Sequence, residues 1–445
     1  MMIGAKRKMR FQAMLAALTV LAAAVLPGCG TGGDSMENTD DGEKITIRIA
    51  WWGDSGRQKL TQQVLDLYEK EHENITFEPV VSDWDGYFDK LAIQTASGDM
   101  PDIVQMDYMY INTYTRNRSL ADLSEYIEDG TIDISSIDSA LLDTGEVDGR
   151  MTGIPFSTNI MAVGANPSLF EEAGIELPEN GWTWNEFKEA AETIHEKTGK
   201  LGVAVSPVED VNILQCWLRQ NGEELFRSDY QGLDCDDSTL AAYLDFFKGL
   251  MDSGAMSDPD EYAKIQTLGI QNGPVATKDA AMILEWHNYG VKIEEQNDEI
   301  EMLPMPTAEK GGRSGLWQKP GMFFSVSDTS PVKEVCAEFI SWLVNSKEAN
   351  LILRGERGVP ASLEMRELML ESGKLTPQQE KMYAYIDEMA TLCGETPPPD
   401  PTGLGEINDA LKNTAYEVFY GQISSDEAVK KFRVQAEEIL RENNP

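Results

Sequence analysis

WDGYFDKLAIQTASGDMPDIVQMDYMY, residues 84–110, is the stretch that decides the fold of this chain. Its apolar side chains recur at helical spacing and predict an amphipathic helix over residues 86–96. Gly98 ends this helix, and Pro101 prevents its continuation. Residues 102–106 then have the pattern of a short buried strand. The stretch therefore predicts a helix–turn–strand unit of an α/β fold.

Polar and aromatic side chains follow this predicted strand directly. Asp107, Tyr108 and Tyr110 stand at its carboxyl end, which is where ligands bind in open α/β sheets. One acid and two aromatic rings suit a polar ligand that has apolar faces. An ordinary polar exit loop explains the same three residues equally well, so this stretch alone leaves both interpretations open.

Two further strands precede the central stretch. Residues 45–50 alternate with period two and predict the first strand, which runs into Trp51, Trp52 and Asp54. Residues 75–81 predict the second strand, with an amphipathic helix between the two. The resulting β-α-β-α-β order predicts a parallel sheet wound with helices.

The composition is that of a large globular protein. The chain has 445 residues, of which 41% are hydrophobic and 25% charged, enough for two or three domains. The formal net charge of −39 repels phosphate and makes a nucleic-acid partner unfavourable. It also argues weakly against a strongly anionic ligand, although a charged surface that keeps the protein soluble accounts for most of the acidity.

Cysteine and histidine are sparse and scattered. The five Cys and three His include no C-x-x-C pair and no metal-ligand spacing, so we expect no metal and no redox cofactor. Cys216 and Cys235 could pair in an oxidising compartment, but the sequence does not decide the connectivity.

The N-terminus has the pattern of a secretory signal. A basic region precedes residues 11–26, which are apolar apart from two polar side chains. As a helix this apolar segment would span about 24 Å, short of the ~30 Å hydrocarbon core of a bilayer. A signal peptide over residues 1–28 therefore fits better than a membrane span.

The end of this signal resembles the lipobox of bacterial lipoproteins. The residues are Leu26-Pro27-Gly28-Cys29, and the resemblance implies that Cys29 becomes the lipidated first residue of the mature chain. The alternative is a cleaved soluble signal with an incidental cysteine. Residues 29–43 are rich in Gly, Ser, Asn and Asp and predict a flexible tether.

Six segments, in order along the chain, resemble motifs of the family 1 extracellular solute-binding proteins. These are the sugar-binding receptors of bacterial ABC importers and include maltose-binding protein. The segments are residues 52–54 (WGD), 98–103 (GDMPDI), 148–155 (DGRMTGIP), 166–174 (NPSLFEEAG), 182–187 (WTWNEF) and 280–286 (AAMILEW). Met106 stands where many members have a Trp, which implies a ligand pose different from that of maltose. We assign Trp182 and Trp184 to packing at a helix start, where Thr183 and Glu186 form a capping box.

The resemblance implies a two-lobe periplasmic-binding-protein-like α/β fold, with a hinge between the lobes. Each lobe would have a central, mainly parallel sheet flanked by helices. The first lobe would comprise residues 44–157 and 319–360, and the second residues 158–318 and 361–445. Crossovers near residues 154–159, 316–321 and 359–362, each with a proline, would form the hinge. The proline-rich residues 396–401 predict a stiff surface loop.

A sugar site needs carboxylates and amides at its rim and aromatic rings above and below the ligand. Asp54, Asn159, Asp210 and Trp286 match positions that contact ligand in the family. For any single Trp, core packing is the commoner alternative, and one of Trp51 and Trp52 must point away from a ligand. The full candidate set is Trp51, Trp52, Asp54, Trp84, Asp107, Tyr108 and Tyr110 in the first lobe, Asn159 in the crossing, Asp210, Asn212, Trp217, Trp286, His287 and Trp317 in the second lobe, and Lys319 beside them.

The resemblance implies a receptor without catalytic residues. It would capture a carbohydrate, foremost an oligosaccharide, close around it, and deliver it to the permease subunits of an ABC transporter. The expected form is a monomer, anchored through Cys29 to the outer face of the bacterial cell membrane. Two alternatives stay open: the same scaffold binding a peptide, polyamine or anion, and a secreted glycoside hydrolase, for which no motif emerges.

Overall fold

The computed structural model describes residues 44–444 of the chain. The predicted signal peptide, Cys29 and the tether lie outside this range. No helix within the described range combines the length and the apolar character needed to cross a bilayer.

Within residues 44–444 the secondary structure comprises twelve strands and seventeen α-helices, with 3-10 helices at Asp143–Gly145 and Ile270–Asn272. The strands are β1 Ile45–Trp52, β2 Ile75–Ser82, β3 Ile103–Met106, β4 Glu146–Val147, β5 Arg150–Met151, β6 Ile154–Asn159, β7 Met161–Ala165, β8 Leu201–Val203, β9 Ala280–Trp286, β10 Glu301–Leu303, β11 Lys319–Val326 and β12 Val359–Pro360. The helices are α1 Ser55–Glu71, α2 Trp84–Ser97, α3 Tyr108–Arg116, α4 Ser124–Glu128, α5 Ser139–Leu142, α6 Pro167–Ala173, α7 Trp184–Thr198, α8 Asn212–Gln220, α9 Asp237–Asp252, α10 Pro259–Leu268, α11 Tyr289–Ile293, α12 Lys333–Asn345, α13 Lys347–Leu353, α14 Leu363–Glu371, α15 Pro377–Ala390, α16 Leu404–Phe419 and α17 Ser425–Asn443.

The central helix–turn–strand unit is confirmed. Helix α2 begins two residues earlier than predicted because the Asp83 side chain caps it, accepting a hydrogen bond from Gly86 N at 3.0 Å. Gly98 ends it in the left-handed conformation, with φ of 74°. The residues after β3 are not a plain exit loop, because Asp107 caps a further helix, α3.

The first sheet has six strands in the order β12-β6-β11-β3-β1-β2. The predicted parallel pairing is confirmed where β1 lies between β2 and β3. Strand β11 runs antiparallel to both β3 and β6, because β6 carries the chain out toward the second sheet and β11 brings it back. The three predicted crossovers thus lie side by side as β12, β6 and β11.

The second sheet has four strands in the order β10-β7-β9-β8. Strands β8 and β9 are connected through helices and run parallel. Strand β7 enters directly from β6 and runs antiparallel to both of its neighbours. The α/β fold class is confirmed, but both sheets are mixed. Within the described residues the first sheet has three antiparallel and two parallel strand pairs, and the second has two antiparallel and one parallel, so neither is mainly parallel as predicted.

Each sheet has its own hydrophobic core. The first core includes Ile47, Leu65 and Phe339, and the second includes Phe187 and Phe247. A smaller cluster contains Ala280 of β9 together with Tyr289 and Ile300. The lobe boundaries within the described residues stay a prediction.

The predicted capping box and the predicted packing of two tryptophans at the start of α7 are confirmed. Trp182 and Trp184 are buried in the second core. Between them Thr183 accepts a hydrogen bond from Glu186 N, and the Glu186 carboxylate accepts one from Thr183 N, which completes the capping box.

The cysteines of the described range are free thiols. Cys216 and Cys235, whose pairing the sequence left open, are both buried and not bonded to each other. Burial raises the pKa of each thiol to about 12, so both are protonated at neutral pH. Residues 44–444 contain no cluster of three or more His, Cys, Asp or Glu suited to a metal ion.

Asp102 joins the central unit to the rest of the first sheet. Its side chain is 9% exposed and accepts hydrogen bonds from Arg48 N at 2.8 Å and from the Ser330 hydroxyl at 2.7 Å. One carboxylate therefore links β1, the turn before β3 and the turn before α12.

Replacing Asp102 by Ala is expected to destabilise the protein by about 3 kcal/mol, because two buried donors lose their acceptor. Urea unfolding of the mature protein measures this. Asp99→Ala is the matched control: Asp99 pairs with Arg48 at 2.8 Å but its side chain is 67% exposed, so a loss below about 1 kcal/mol is expected. Equal losses in the two variants would contradict the assigned role of Asp102.

Candidate functional site

Lys319 is the centre of the candidate site. It is the first residue of β11 and lies opposite Asn159, the last residue of β6, in the strand register. Its Nζ lies 5.2 Å from the centre of the Trp286 ring at the end of β9, within the range of a cation–π interaction. Three predicted site residues, from strands of both sheets, therefore meet at one point.

Asn159 has an unused hydrogen-bonding atom at this point. Its Oδ1 is buried and has no hydrogen-bond partner within the described part of the chain. A buried amide oxygen without a donor is unfavourable, and a ligand hydroxyl is one group that would satisfy it.

Asp107 faces Lys319 from the first sheet. The Asp107 side chain caps α3, with Oδ1 accepting a hydrogen bond from Met109 N at 2.9 Å. Burial raises the pKa of Asp107, and the nearby Lys319 ammonium opposes that rise. The carboxylate is thus held in place by the helix start and lies within electrostatic reach of Lys319.

Asp400 belongs to the same charged set, although the sequence did not single it out. It is partly buried in the connection between α15 and α16, and burial raises its pKa to about 6. Lys319 acts to lower this pKa, whereas Asp107 and Asp210 act to raise it. Asp400 therefore lies within electrostatic reach of Lys319, Asp107 and Asp210.

Asp210 enters the set from the turn before α8. Its Oδ1 accepts a hydrogen bond from Asn212 N at 2.8 Å, which makes Asn212 the first residue of that helix. Next to it, Glu209 accepts a hydrogen bond from the Tyr416 hydroxyl at 2.7 Å and lies 3.3 Å from Lys412. Glu209 was not predicted as a site residue. The one signal for it in the sequence was its position next to the predicted Asp210.

An aromatic cluster borders Asp107. Trp52 and Trp84 pack edge to face at 5.2 Å, and Phe88 stacks on Tyr110 at 3.7 Å. Trp84 is 43% exposed, and the Asp107 charge contributes to raising the pKa of Tyr110. The carboxyl ends of β1 and β3 thus carry an aromatic surface next to a carboxylate, as a sugar site requires.

Four other predicted residues are not brought to this centre. Trp51 is 1% exposed and lies in the first core, and Trp217 packs against Trp184 at 5.3 Å. Trp317 is buried, with the Arg219 guanidinium 5.5 Å from its ring. Asp54 is exposed and caps α1, and it has no hydrogen bond or ion pair with the centre among the described residues.

His287, in the predicted second lobe, is fully buried. Its Nδ1 lies 3.5 Å from Ile160 N and its ring stacks on Tyr385 at 6.2 Å. Burial, aided by Lys292 and Arg366, lowers the pKa of His287 to about 3. The imidazole is therefore neutral at physiological pH, and its role is packing.

The proline-rich connection is not the plain surface loop that was predicted. The hydroxyl of Tyr108 donates a hydrogen bond to the Pro397 carbonyl, and that of Tyr230 donates one to the Pro399 carbonyl at 2.6 Å. Proline has no backbone N–H, so its carbonyl is the only backbone group through which it can form a hydrogen bond. The segment therefore touches both predicted lobes, and Tyr108 serves to hold it.

Two α/β sheets, three adjacent connecting strands and a polar, aromatic site where they meet define a two-lobe solute-binding protein. The family model described as bacterial extracellular solute-binding protein matches residues 52–350. The chain belongs to this family, whose members bind solutes.

Individual relatives match over most of the chain at low identity. A putative binding protein of Brucella abortus (strain 2308) is 23% identical over 396 residues, 85% of this chain and 89% of the relative. The maltooligosaccharide ABC transporter solute-binding lipoprotein of Streptococcus pneumoniae R6 is 21% identical over 432 residues, 93% of each chain. The solved structure of an extracellular solute-binding protein family 1 from Alicyclobacillus acidocaldarius has a TM-score of 0.72 at 26% identity, covering 90% of this chain and 100% of that one.

The buried His287 predicts a specific acid sensitivity. The unfolded chain protonates this imidazole near pH 6.5, whereas the folded state resists protonation down to about pH 3. The free energy of unfolding therefore decreases as the pH falls below about 6.5. At pH 5 it is about 2 kcal/mol lower than at pH 7.5. His287→Gln should remove that part of the pH dependence, measured by urea unfolding at both pH values. Equal pH-dependent losses in wild type and variant would contradict the assignment.

Proposed function

We propose that this protein is an extracellular receptor that captures a carbohydrate between its two lobes and delivers it to the permease of an ABC transporter. The observation that carries the proposal is the meeting of Lys319, Trp286 and Asp107, residues from separate segments, at the junction of the sheets. The relative named as a maltooligosaccharide ABC transporter solute-binding lipoprotein supports it.

The chemistry of the junction suits a sugar. Carboxylates accept hydrogen bonds from hydroxyls, and the orphan oxygen of Asn159 offers one more acceptor. Trp286 on one side and the Trp84–Tyr110 cluster on the other supply ring surfaces for the C–H faces of pyranose or furanose rings. An oligosaccharide would use both aromatic surfaces.

Contacts between the predicted lobes support closure around the ligand. Tyr108 bonds to the Pro397 carbonyl, and the hydroxyls of Thr113 and Thr402 lie 3.3 Å apart. In the proposed mechanism these contacts form as the lobes close, and the ligand shifts the equilibrium by binding the closed form better. The adjacent strands β12, β6 and β11 would carry the hinge.

The proposed location follows from the N-terminus. The predicted signal peptide and Cys29 would anchor the receptor to the outer face of the membrane, near its permease. The lipoprotein named among the relatives supports this assignment. Mass spectrometry of the membrane fraction would detect the lipidated peptide that begins at Cys29.

A carbohydrate panel tests the function directly. Malto-, arabino-, xylo- and cello-oligosaccharides, a peptide mixture and polyamines are each added to the purified mature protein, and thermal unfolding is followed. At one hundred times its Kd a ligand stabilises by about 2.7 kcal/mol, which raises the Tm by about 3 °C for a chain of this size. At least one sugar should do so and be recovered uncleaved. Stabilisation only by peptides or polyamines would contradict the proposal.

Trp286→Ala should weaken the binding of the sugar found in this way about 30-fold, because the ring and its contact with Lys319 are lost. Isothermal titration measures the affinity. Trp342→Ala is the matched control, since Trp342 is also partly buried but packs on Tyr68 at 4.9 Å, in the first core. Comparable losses in both variants would show that Trp286 acts through stability and not through ligand contact.

A further inference from the structure

The segment of residues 395–402, called here the bridging segment, is anchored at both ends to the predicted second lobe. Near its start the Thr396 hydroxyl donates a hydrogen bond to the Gln318 carbonyl at 3.0 Å. At its end the Asn444 side chain donates a hydrogen bond to the Thr402 carbonyl at 3.0 Å and accepts one from Thr402 N at 3.2 Å. The backbone of the segment is therefore carried by the predicted second lobe.

Helix α3 of the predicted first lobe contacts this segment through two hydroxyl groups. The Tyr108 hydroxyl donates a hydrogen bond to the Pro397 carbonyl, and the hydroxyl oxygens of Thr113 and Thr402 lie 3.3 Å apart. The helix itself packs into the first core, to which Ile111 belongs. Tyr108 is only 3% exposed, so its bond is shielded from water. A loop of one predicted lobe thus holds a helix of the other.

These contacts are of a kind that can break and form again. Each is a polar contact whose partners water can replace, so the net cost of breaking it is small. A cavity of about 640 Å³ borders Thr113 and Thr402 and is lined from both predicted lobes, with Tyr230 on one side and the exposed Arg116 and Asp148 on the other. Water therefore reaches the edge of the contact, which can open without disrupting either hydrophobic core.

We propose that the bridging segment is a latch: its contacts with α3 set how long the closed form lasts, and therefore the affinity and the release rate of the bound solute. This inference rests on the proposed function and deepens it. The Tyr108 hydroxyl donates its proton to a backbone carbonyl and not to a ligand. Because the apparent affinity of a ligand that binds the closed form is proportional to the closed fraction, such a latch changes the affinity for every solute by the same factor.

The first experiment removes one hydroxyl from either of two tyrosines. Tyr108→Phe deletes the bond between the predicted lobes, whereas Tyr230→Phe deletes a similar bond, to the Pro399 carbonyl at 2.6 Å, within the predicted second lobe. Both residues are buried, with 3% and 7% of their surface exposed, so the two variants should lose similar stability. Maltotriose, arabinotriose, xylotriose and cellotriose are titrated calorimetrically into the wild type and both variants.

Tyr108→Phe should weaken the binding of each trisaccharide that the wild type binds by about fivefold, the effect of one lost hydrogen bond, and leave their ranking unchanged. Tyr230→Phe should weaken binding by less than about twofold, because its bond does not depend on closure. Equal losses of affinity in the two variants would overturn the inference, since the segment would then act only as part of a rigid fold. A changed ranking in Tyr108→Phe would also overturn it, because Tyr108 would then contact the sugar.

The second experiment needs no ligand. In the double variant Thr113→Cys/Thr402→Cys the two thiols replace hydroxyls whose oxygens are 3.3 Å apart. Oxidised glutathione joins them by thiol–disulfide exchange, and dithiothreitol separates them again. Small-angle X-ray scattering then gives the radius of gyration of both forms. The reduced form should have the larger radius, because its lobes are free to open, and the single variant Thr113→Cys should show no such difference.

The scattering result separates the latch from the identity of the solute. A double variant that forms no disulfide, or one with equal radii in the oxidised and reduced forms, would overturn the inference, because the segment would not open and close against α3. Different radii together with no binding of any sugar in the panel would support the latch, and only the carbohydrate assignment of the proposed function would fail.

Discussion

The register of strand β11 is the constraint on which the structure depends. Its main-chain hydrogen bonds to β3 and β6 hold together segments that are far apart in the sequence, and the same register sets Lys319 opposite Asn159. The β11–β6 pairing shifts its register between Pro320 and Phe323, so the place of Lys319 is set by the pairs Lys319–Asn159 and Pro320–Thr158 beside this bulge. From this position the Lys319 ammonium lies 5.2 Å from the centre of the Trp286 ring.

The balance of charge at the junction has a clear chemical consequence. Burial raises the pKa of Asp107 and of Asp400, and the charge of Lys319 opposes both rises. Such groups are costly to bring together without hydrogen-bond donors to share. A polyhydroxylated ligand supplies those donors, so ligand binding and lobe closure can favour one another. The acidity of the chain as a whole, which the sequence shows only as a net charge, thus has a local counterpart at the proposed site.

Local patterns in the sequence predicted the central unit, the first strands and the capping box of α7, because those features depend on neighbouring residues. The position after a predicted strand singled out Asp107 as a candidate, whereas the family resemblance singled out Trp286; local patterns alone did not. They could not separate Trp286 from Trp51 or Trp217, since burial of a ring is decided by packing between distant segments. Asp400 was missed for the same reason: the bond that ties its segment to Tyr108 joins residues 289 positions apart. The one available signal for Asp400 was that its carboxylate lies within a proline-rich run. Because that run was predicted to be a surface loop, the signal was not followed.

The most direct test of the account is a crystal structure of the mature protein with the oligosaccharide that stabilises it most. The account predicts a sugar ring against Trp286, with hydroxyls hydrogen-bonded to Asp107 and to the Asn159 side chain, enclosed by both lobes. A sugar bound elsewhere, for example in the surface groove beside Trp182 and Lys310, with the region around Lys319 free of ligand, would contradict it.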